Sequence, residues 1–158
     1  MQQRGPLTLT AIDRHNWRAA LAVHVTAEQL PFVAGHQPVA LLILAKAYVR
    51  AGGLDWEPMA VTASAAVIAV VALSHSDAYT EVVHLAVDAD WQGQGVGSET
   101  VGLLLAHVAA TRLRTQELRL TVHPDNERAQ RLYRSRGFSP TGAVRDGEPV
   151  WSRRVDRE

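Results

Sequence analysis

Apolar and polar positions divide this chain into segments of two periods. Residues 8–12 alternate weakly, which predicts a first strand. Asp13 is placed to cap a helix running through Trp17 and Leu21, and Pro31 breaks the region after it. Pro38 suits the first turn of a second helix over residues 39–50, which Gly52 and Gly53 end. Two apolar runs, 58–63 and 66–74, flank a short turn near Ser64 and predict a hairpin. Residues 81–88 read as the next strand. Val101, Leu104, Leu105, Val108 and Leu113 recur at helical spacing and predict a helix over 96–115. A strand over 118–122, a helix over 126–136 stopped by Gly137, and a strand over 150–155 complete the chain. The order β-α-α-β-β-β-α-β-α-β predicts an α/β (α+β) domain, a mixed sheet with helices on it.

Composition narrows the class. The 158 residues suit one domain, 1–158, with a real core. Sixteen basic side chains balance sixteen acidic ones, so nothing global points to nucleic acid or a membrane surface. The absence of cysteine excludes a disulfide framework, a thiolate zinc site and a cysteine nucleophile. The first residues lack the apolar core of a signal peptide, and no apolar run is long enough to span a bilayer. A soluble, cytoplasmic protein is expected. The charge is asymmetric: residues 1–100 hold 5 basic and 9 acidic side chains, residues 101–158 hold 11 and 7. Lys46 is the only lysine.

Between the strand ending near Asp88 and the long helix lies Gln92-Gly93-Gln94-Gly95-Val96-Gly97. The first N–H groups of a helix lack intrahelical partners and carry partial positive charge, and glycine lets a ligand approach the backbone closely. The loop therefore suits a phosphate. A nucleoside-triphosphate loop would end in Gly-Lys-Ser or Gly-Lys-Thr, and the glycine spacing differs from a dinucleotide fingerprint. Downstream, Asn126, Ala129 and Tyr133 stand at i, i+3 and i+7, with Asn126 and Tyr133 on nearly one helix face. A phenol, with a pKa of about 10 against about 8.5 for a thiol, stays protonated as a thiolate departs.

Together these segments resemble the GNAT superfamily of acetyl-CoA-dependent N-acyltransferases. One motif matches Val87 followed by Gln92-x-x-Gly95-x-Gly97; the other matches Asn126, Ala129, Leu132, Tyr133, Gly137 and Phe138. The resemblance implies a mostly antiparallel sheet of six or seven strands flanked by about four helices. It implies acetyl-CoA as cosubstrate, an amine acceptor and direct transfer without a metal. The backbone of Leu85, Ala86 and Val87 would pair with the pantetheine arm, and an amide at a bulge in this strand would polarise the thioester. The N–H groups of Gln92, Gly93, Gln94, Gly95, Val96, Gly97 and Ser98 would hold the pyrophosphate. Asn126, with Ala129 on the same helix, would meet the pantetheine or a water, and Tyr133 would be the general acid. A homodimer is a further expectation from the resemblance.

The attacking amine must lose a proton, an alkyl ammonium having a pKa near 10. Glu81 and His84 are the candidate bases, Glu81 the preferred one. Their opposite parity places them on opposite faces of a regular strand, so only one is expected in the cleft. His75, His107 and His123 lack ligand spacing and read as surface or capping residues. Around Asn16-Trp17, Glu28-Gln29, Phe32-Val33 and 45–48 the chain is also similar to the bacterial diamine (spermine/spermidine) N-acetyltransferase branch. That likeness implies a small polyamine or diamine acceptor, drawn to Glu28, Asp55, Glu57, Asp77 and Glu81. Other acceptors compatible with the motifs are an antibiotic amine and a protein N-terminus, and a non-catalytic acyl-CoA-binding module would also fit them.

Overall fold

Residues 66–75 form an almost continuous apolar run, and the reason is visible in the sheet they occupy. In the computed structural model, which describes residues 4–157, this strand is covered on both faces and buried from Ile68 to His75. Among the described residues the chain forms seven strands and five α-helices. They follow as β1 (Leu7–Ala11), α1 (Trp17–Leu21), α2 (Leu30–Val33), α3 (Val39–Val49), β2 (Asp55–Ala63), β3 (Ala66–His75) and β4 (Tyr79–Val87). Then come α4 (Val96–Thr111), β5 (Glu117–Thr121), α5 (Glu127–Ser135), β6 (Ser139–Arg145) and β7 (Glu148–Arg154). The strands make one sheet in the order β1-β2-β3-β4-β5-β7-β6. Neighbours pair antiparallel except β4 and β5, which run parallel. The mixed, mostly antiparallel sheet matches the expected class.

One face buries Leu73, Val82, Leu118, Leu120 and Trp151 beneath Val101, Leu104 and Val108 of α4. The other buries Val70, Ala72 and Ala86 beneath Ala20 of α1 and Val39, Ala40 and Ile43 of α3. Each fully buried Val, Leu or Ile contributes about 1.5–3 kcal/mol of transfer free energy, so these two layers hold the sheet in place.

Several boundaries differ from the sequence reading, each for a local reason. Asp13 caps a turn rather than the helix: its Oδ1 accepts from His15 N and Asn16 N, and α1 begins at Trp17. Pro31 does not break the chain but sits in the first turn of α2, where no N–H is needed. Helix α4 stops at Thr111, and Leu113, 73 % exposed, lies outside its apolar face. Strand β6 was not expected at all. Its residues are all exposed and include Pro140 and Gly142, so it carries no alternation to read and pairs only at the sheet's edge.

The histidines also correct the sequence reading. His75 is buried, and its Nε2 donates to Glu57 Oε1 (2.5 Å), while His107 Nε2 donates to Oε2 of the same carboxylate (2.9 Å). These contacts, that of His75 foremost, hold the Glu57 carboxyl at about 2, against burial, which pushes the other way. Because the folded-state value lies below the ordinary 4.5, the stabilisation is present above pH 4.5 and disappears as pH falls through about 2. Because solvent reaches this carboxylate and screens the pairing, the contribution is about 1 kcal/mol. Denaturant titrations between pH 5 and about 2 should show this loss, and Glu57→Gln should flatten it.

Candidate active site

The parallel pair β4–β5 is joined only at its start, where Tyr79, Thr80 and Glu81 face Glu117, Leu118 and Arg119. Beyond Glu81 the strands diverge. The gap between them opens a cleft of about 850 Å³, lined on one side by β4 from Glu81 onward and on the other by Leu120, Thr121 and Val122. The edge of β4 that β5 leaves uncovered faces this space.

A bulge re-aims β4 within the cleft. Ala72 pairs with Val83 and Val70 with Ala86, so His84 and Leu85 together stand opposite Val71. His84 takes a left-handed φ of 56°, uncommon for a residue with a side chain. Its side chain thereby turns to the face carrying α2 and α3, where Nδ1–H donates to Val33 O (2.7 Å). A carbonyl can only accept, so the proton sits on Nδ1 and Nε2 offers its lone pair to Lys46 Nζ (2.7 Å). Burial and the nearby Lys46 hold the imidazole below its ordinary 6.5, against the hydrogen bond to Val33, and keep it neutral at pH 7.

This bulge corrects the parity argument. Glu81 and His84 both line the cleft, although a regular strand would have separated them. Glu81 is ion-paired with Arg145 of β6. Of the other acids expected to face an acceptor, Glu57 is held by two histidines, Asp55 pairs with Arg112, and neither lines the cleft. His123 is part of the cleft wall, with its ring 5.1 Å from that of Phe32.

The glycine loop closes the other end. Gly95, at φ 76°, is the N-cap of α4, and Gly93 shares that φ; both need the left-handed region that glycine occupies without strain. The N–H groups of Val96, Gly97 and Ser98 have no intrahelical acceptor and meet no other acceptor among the described residues. A Cβ on Gly97 would lie 2.9 Å from Leu132 Cδ1, so any side chain there would have to push the end of the Leu132 side chain aside. Arg136 Nε donates to Ser98 Oγ (2.9 Å), which brings a guanidinium to the same helix start. Free donors, bare backbone and a nearby cation fit a pyrophosphate.

Helix α5 supplies the facing wall. Asn126 is its N-cap, its Oδ1 accepting from Ala129 N (3.2 Å). Tyr133 packs edge-on to Phe138, with centroids 5.8 Å apart, and lines the cleft with Asn126 and Ala129. Burial pushes its phenol up to about 12. Leu85, Val87, Gln92, Gly93, Gly95, Val96, Gly97 and Ser98 line the cleft as well. Ala86 and Gln94 do not: Ala86 packs its side chain into the core, and the Gln94 carbonyl accepts from Arg4 Nε (3.0 Å).

The profile of the Acetyltransferase (GNAT) family matches residues 26–138, which include the bulged strand, the glycine loop and α5. The chain belongs to this family. No curated protein matches it in sequence. Among solved structures it is similar to the spermidine N-acetyltransferase of Vibrio cholerae in complex with CoA and spermine, at 17 % identity and a TM-score of 0.72, over 94 % of this chain and 95 % of that one. Aminoglycoside acetyltransferase AAC(6')-Ib in complex with CoA gives 17 % and 0.74 over the same shares. The ribosomal-protein-S18-alanine N-acetyltransferase of Escherichia coli gives 17 % and 0.66, over 97 % and 96 %. At these identities the likeness is one of fold. As a GNAT acetyltransferase the chain takes acetyl-CoA as cosubstrate.

The GNAT cleft also contains a side-chain contact that motif reading passed over. Gln29 and Gln92 exchange side-chain hydrogen bonds (2.5 and 2.6 Å), and Gln92 Nε2 donates to Val87 O (3.0 Å), which ties the glycine loop to the end of β4. Such a pair lies sixty-three residues apart in sequence and leaves no local signal. Gln29→Ala should raise the KM for acetyl-CoA about 2- to 10-fold, the worth of one hydrogen bond, and leave kcat nearly unchanged. Steady-state kinetics with acetyl-CoA varied would show it.

Proposed function

We propose that this acetyltransferase moves the acetyl group of acetyl-CoA directly to the primary amine of a small molecule. The observation that carries this reading is the wedge between β4 and β5, which joins a wall of free N–H groups to a recess of aromatic and basic side chains. On one side stand the glycine loop, Asn126 and Tyr133; on the other, Phe32, Lys46, Trp56 and His84.

Each residue takes a role suited to its surroundings. The free N–H groups at the start of α4 hold the pyrophosphate, and the uncovered edge of β4 at Leu85 to Val87 pairs with the pantetheine arm. The bulge amide polarises the thioester carbonyl. Tyr133, protonated at every working pH, gives its proton to the departing thiolate. For the base we favour His84 over Glu81: the neutral imidazole's Nε2 already accepts from a primary amine, that of Lys46, whose place an incoming amine can take, whereas the Glu81 carboxylate is engaged by Arg145.

A polyamine or diamine is the finer reading. Glu81, Asp146 and Glu148 line the cleft, but Arg128, Arg145 and Lys46 balance their charge, so the support for it comes from elsewhere. The aromatic flank supports the alkyl part of such an amine, since the Lys46 ammonium already lies 5.6 Å from the Trp56 ring centre. The test is thiol release from acetyl-CoA over a panel of spermidine, spermine, putrescine, aminoglycosides and N-terminal peptides. Turnover confined to alkylamines supports the reading. Saturable CoA binding without turnover on any amine would overturn it and leave a binding module.

A further inference from the structure

The only lysine of the chain stands in the cleft. Lys46 projects from α3 into the cleft, half-buried, with its Nζ held between the His84 imidazole and the Trp56 indole face. It pairs with no carboxylate among the described residues. An ammonium in that position is costly, because burial removes water without a counter-charge to replace it. The same burial lowers the Lys46 pKa and raises the share of free amine.

The surroundings of Nζ are those that an acceptor amine requires. A proton acceptor, His84 Nε2, lies 2.7 Å away, already in the neutral tautomer that Val33 O enforces. The same His84 begins the bulge whose backbone faces the gap between β4 and β5. Tyr133 borders the same cleft from α5. The Lys46 side chain thus places a primary amine on an alkyl stem beside an aromatic ring and within hydrogen-bond reach of the base proposed for the acceptor.

We propose that Lys46 is itself an acetylation site, acylated by the chain's own cleft when no external amine displaces it. The inference rests on the reading of this cleft as an acetyl-transfer site. The step balances without a further reactant. The Lys46 Nζ lone pair forms the bond to the acetyl carbonyl carbon, the carbon–sulfur bond breaks, and the Nζ proton passes to His84 Nε2 and on to solvent. The thiolate leaves as CoA thiol with a proton from Tyr133, which solvent restores. The product is a neutral amide at Lys46, with no amine left to bond His84 as before and none for a second transfer.

A single lysine makes the test direct. The full chain is incubated with acetyl-CoA alone, followed by intact mass and peptide mapping, beside the same chain unfolded in urea. The expected result is one acetyl group on the Lys46 peptide, at a rate that saturates with acetyl-CoA and exceeds the unfolded control at least tenfold. Spermidine or putrescine, where turned over, should slow it, and Tyr133→Phe should slow it as well. An unmodified Lys46 peptide, or a rate equal to that of the unfolded chain, would overturn the inference. Peptide mapping separates this event from acetylation of the terminal amine, and Lys46→Arg removes the nucleophile while keeping a cation there. Thiol release with external amines, measured on the same preparation, keeps the two readings apart. Turnover with an unmodified Lys46 sinks only the inference; acetylated Lys46 without external turnover upholds it and sinks the small-amine reading.

Discussion

Tyr133→Phe should lower kcat by about 10²- to 10⁴-fold, the range over which a positioned general acid acts, with little change in the KM for acetyl-CoA. The substitution deletes one oxygen and keeps the ring, so the edge-on contact with Phe138 and the packing of α5 survive. On the proposed mechanism, what disappears is the proton given to the leaving sulfur. The pH dependence carries the second half of the expectation. Since burial places the phenol at about 12, it is protonated throughout the neutral range and gives no alkaline limb below about pH 10. An acid limb should remain if His84 is the base, as proposed, since burial first of all holds its imidazole below the ordinary 6.5 and it takes a proton only when neutral. Activity therefore falls as pH drops through that lowered value, in the mutant as in the parent. Initial rates across pH with both proteins would test the pair of statements, and an unchanged kcat in the mutant would remove Tyr133 from the chemistry.

Gly97→Val should damage both binding and folding. Even a methyl group at this position meets Leu132 Cδ1 at 2.9 Å, and Val87 Cγ2 stands 3.9 Å away. The Leu132 side chain can swing aside for a methyl, but a branched side chain also reaches Val87, and overpacking of about 1–3 kcal/mol follows at the start of α4. The displaced Leu132 is the immediate neighbour of Tyr133, and the displaced helix start carries the free N–H donors. A loss of CoA affinity of about 10- to 100-fold follows from one or two misplaced charge-assisted hydrogen bonds. Calorimetric titration with CoA and thermal unfolding would measure the two effects separately. Retained affinity would show that the cradle does not depend on this approach of the helices.

How much of this was legible in the sequence depended on whether a feature is local. The glycine loop and the Asn126–Phe138 segment could be read because each is one short stretch whose chemistry depends on its own spacing. Helices α3 and α4 and the hairpin of β2 and β3 could be read because their periodicity reports burial. The bulge at His84 could not. A left-handed φ at a residue with a side chain is imposed by tertiary context, and it undid the parity that had placed only one of Glu81 and His84 in the cleft. The acids expected to draw a polycation failed for a related reason. Sequence shows Glu57, Asp55 and Glu81 as charges, but their partners, His75, His107, Arg112 and Arg145, arrive from distant elements. Strand β6 left no signal because none of its residues is buried.

The short run of pairing between β4 and β5 also bears on how the molecule responds to its ligand as a solid body. Along the sheet, β1–β4 are joined to β5–β7 through only three residue pairs, so the architecture has a seam at the place where CoA is expected to lie. A ligand whose amides bond the edge of β4 while it packs against α5 would span that seam as a missing strand does. Its binding energy would appear as added resistance of the whole chain to unfolding, growing with ligand concentration as RT ln(1 + [L]/Kd). Amide hydrogens on both banks, in β4 beyond Glu81 and in β5 beyond Arg119, should then slow their exchange together on addition of CoA.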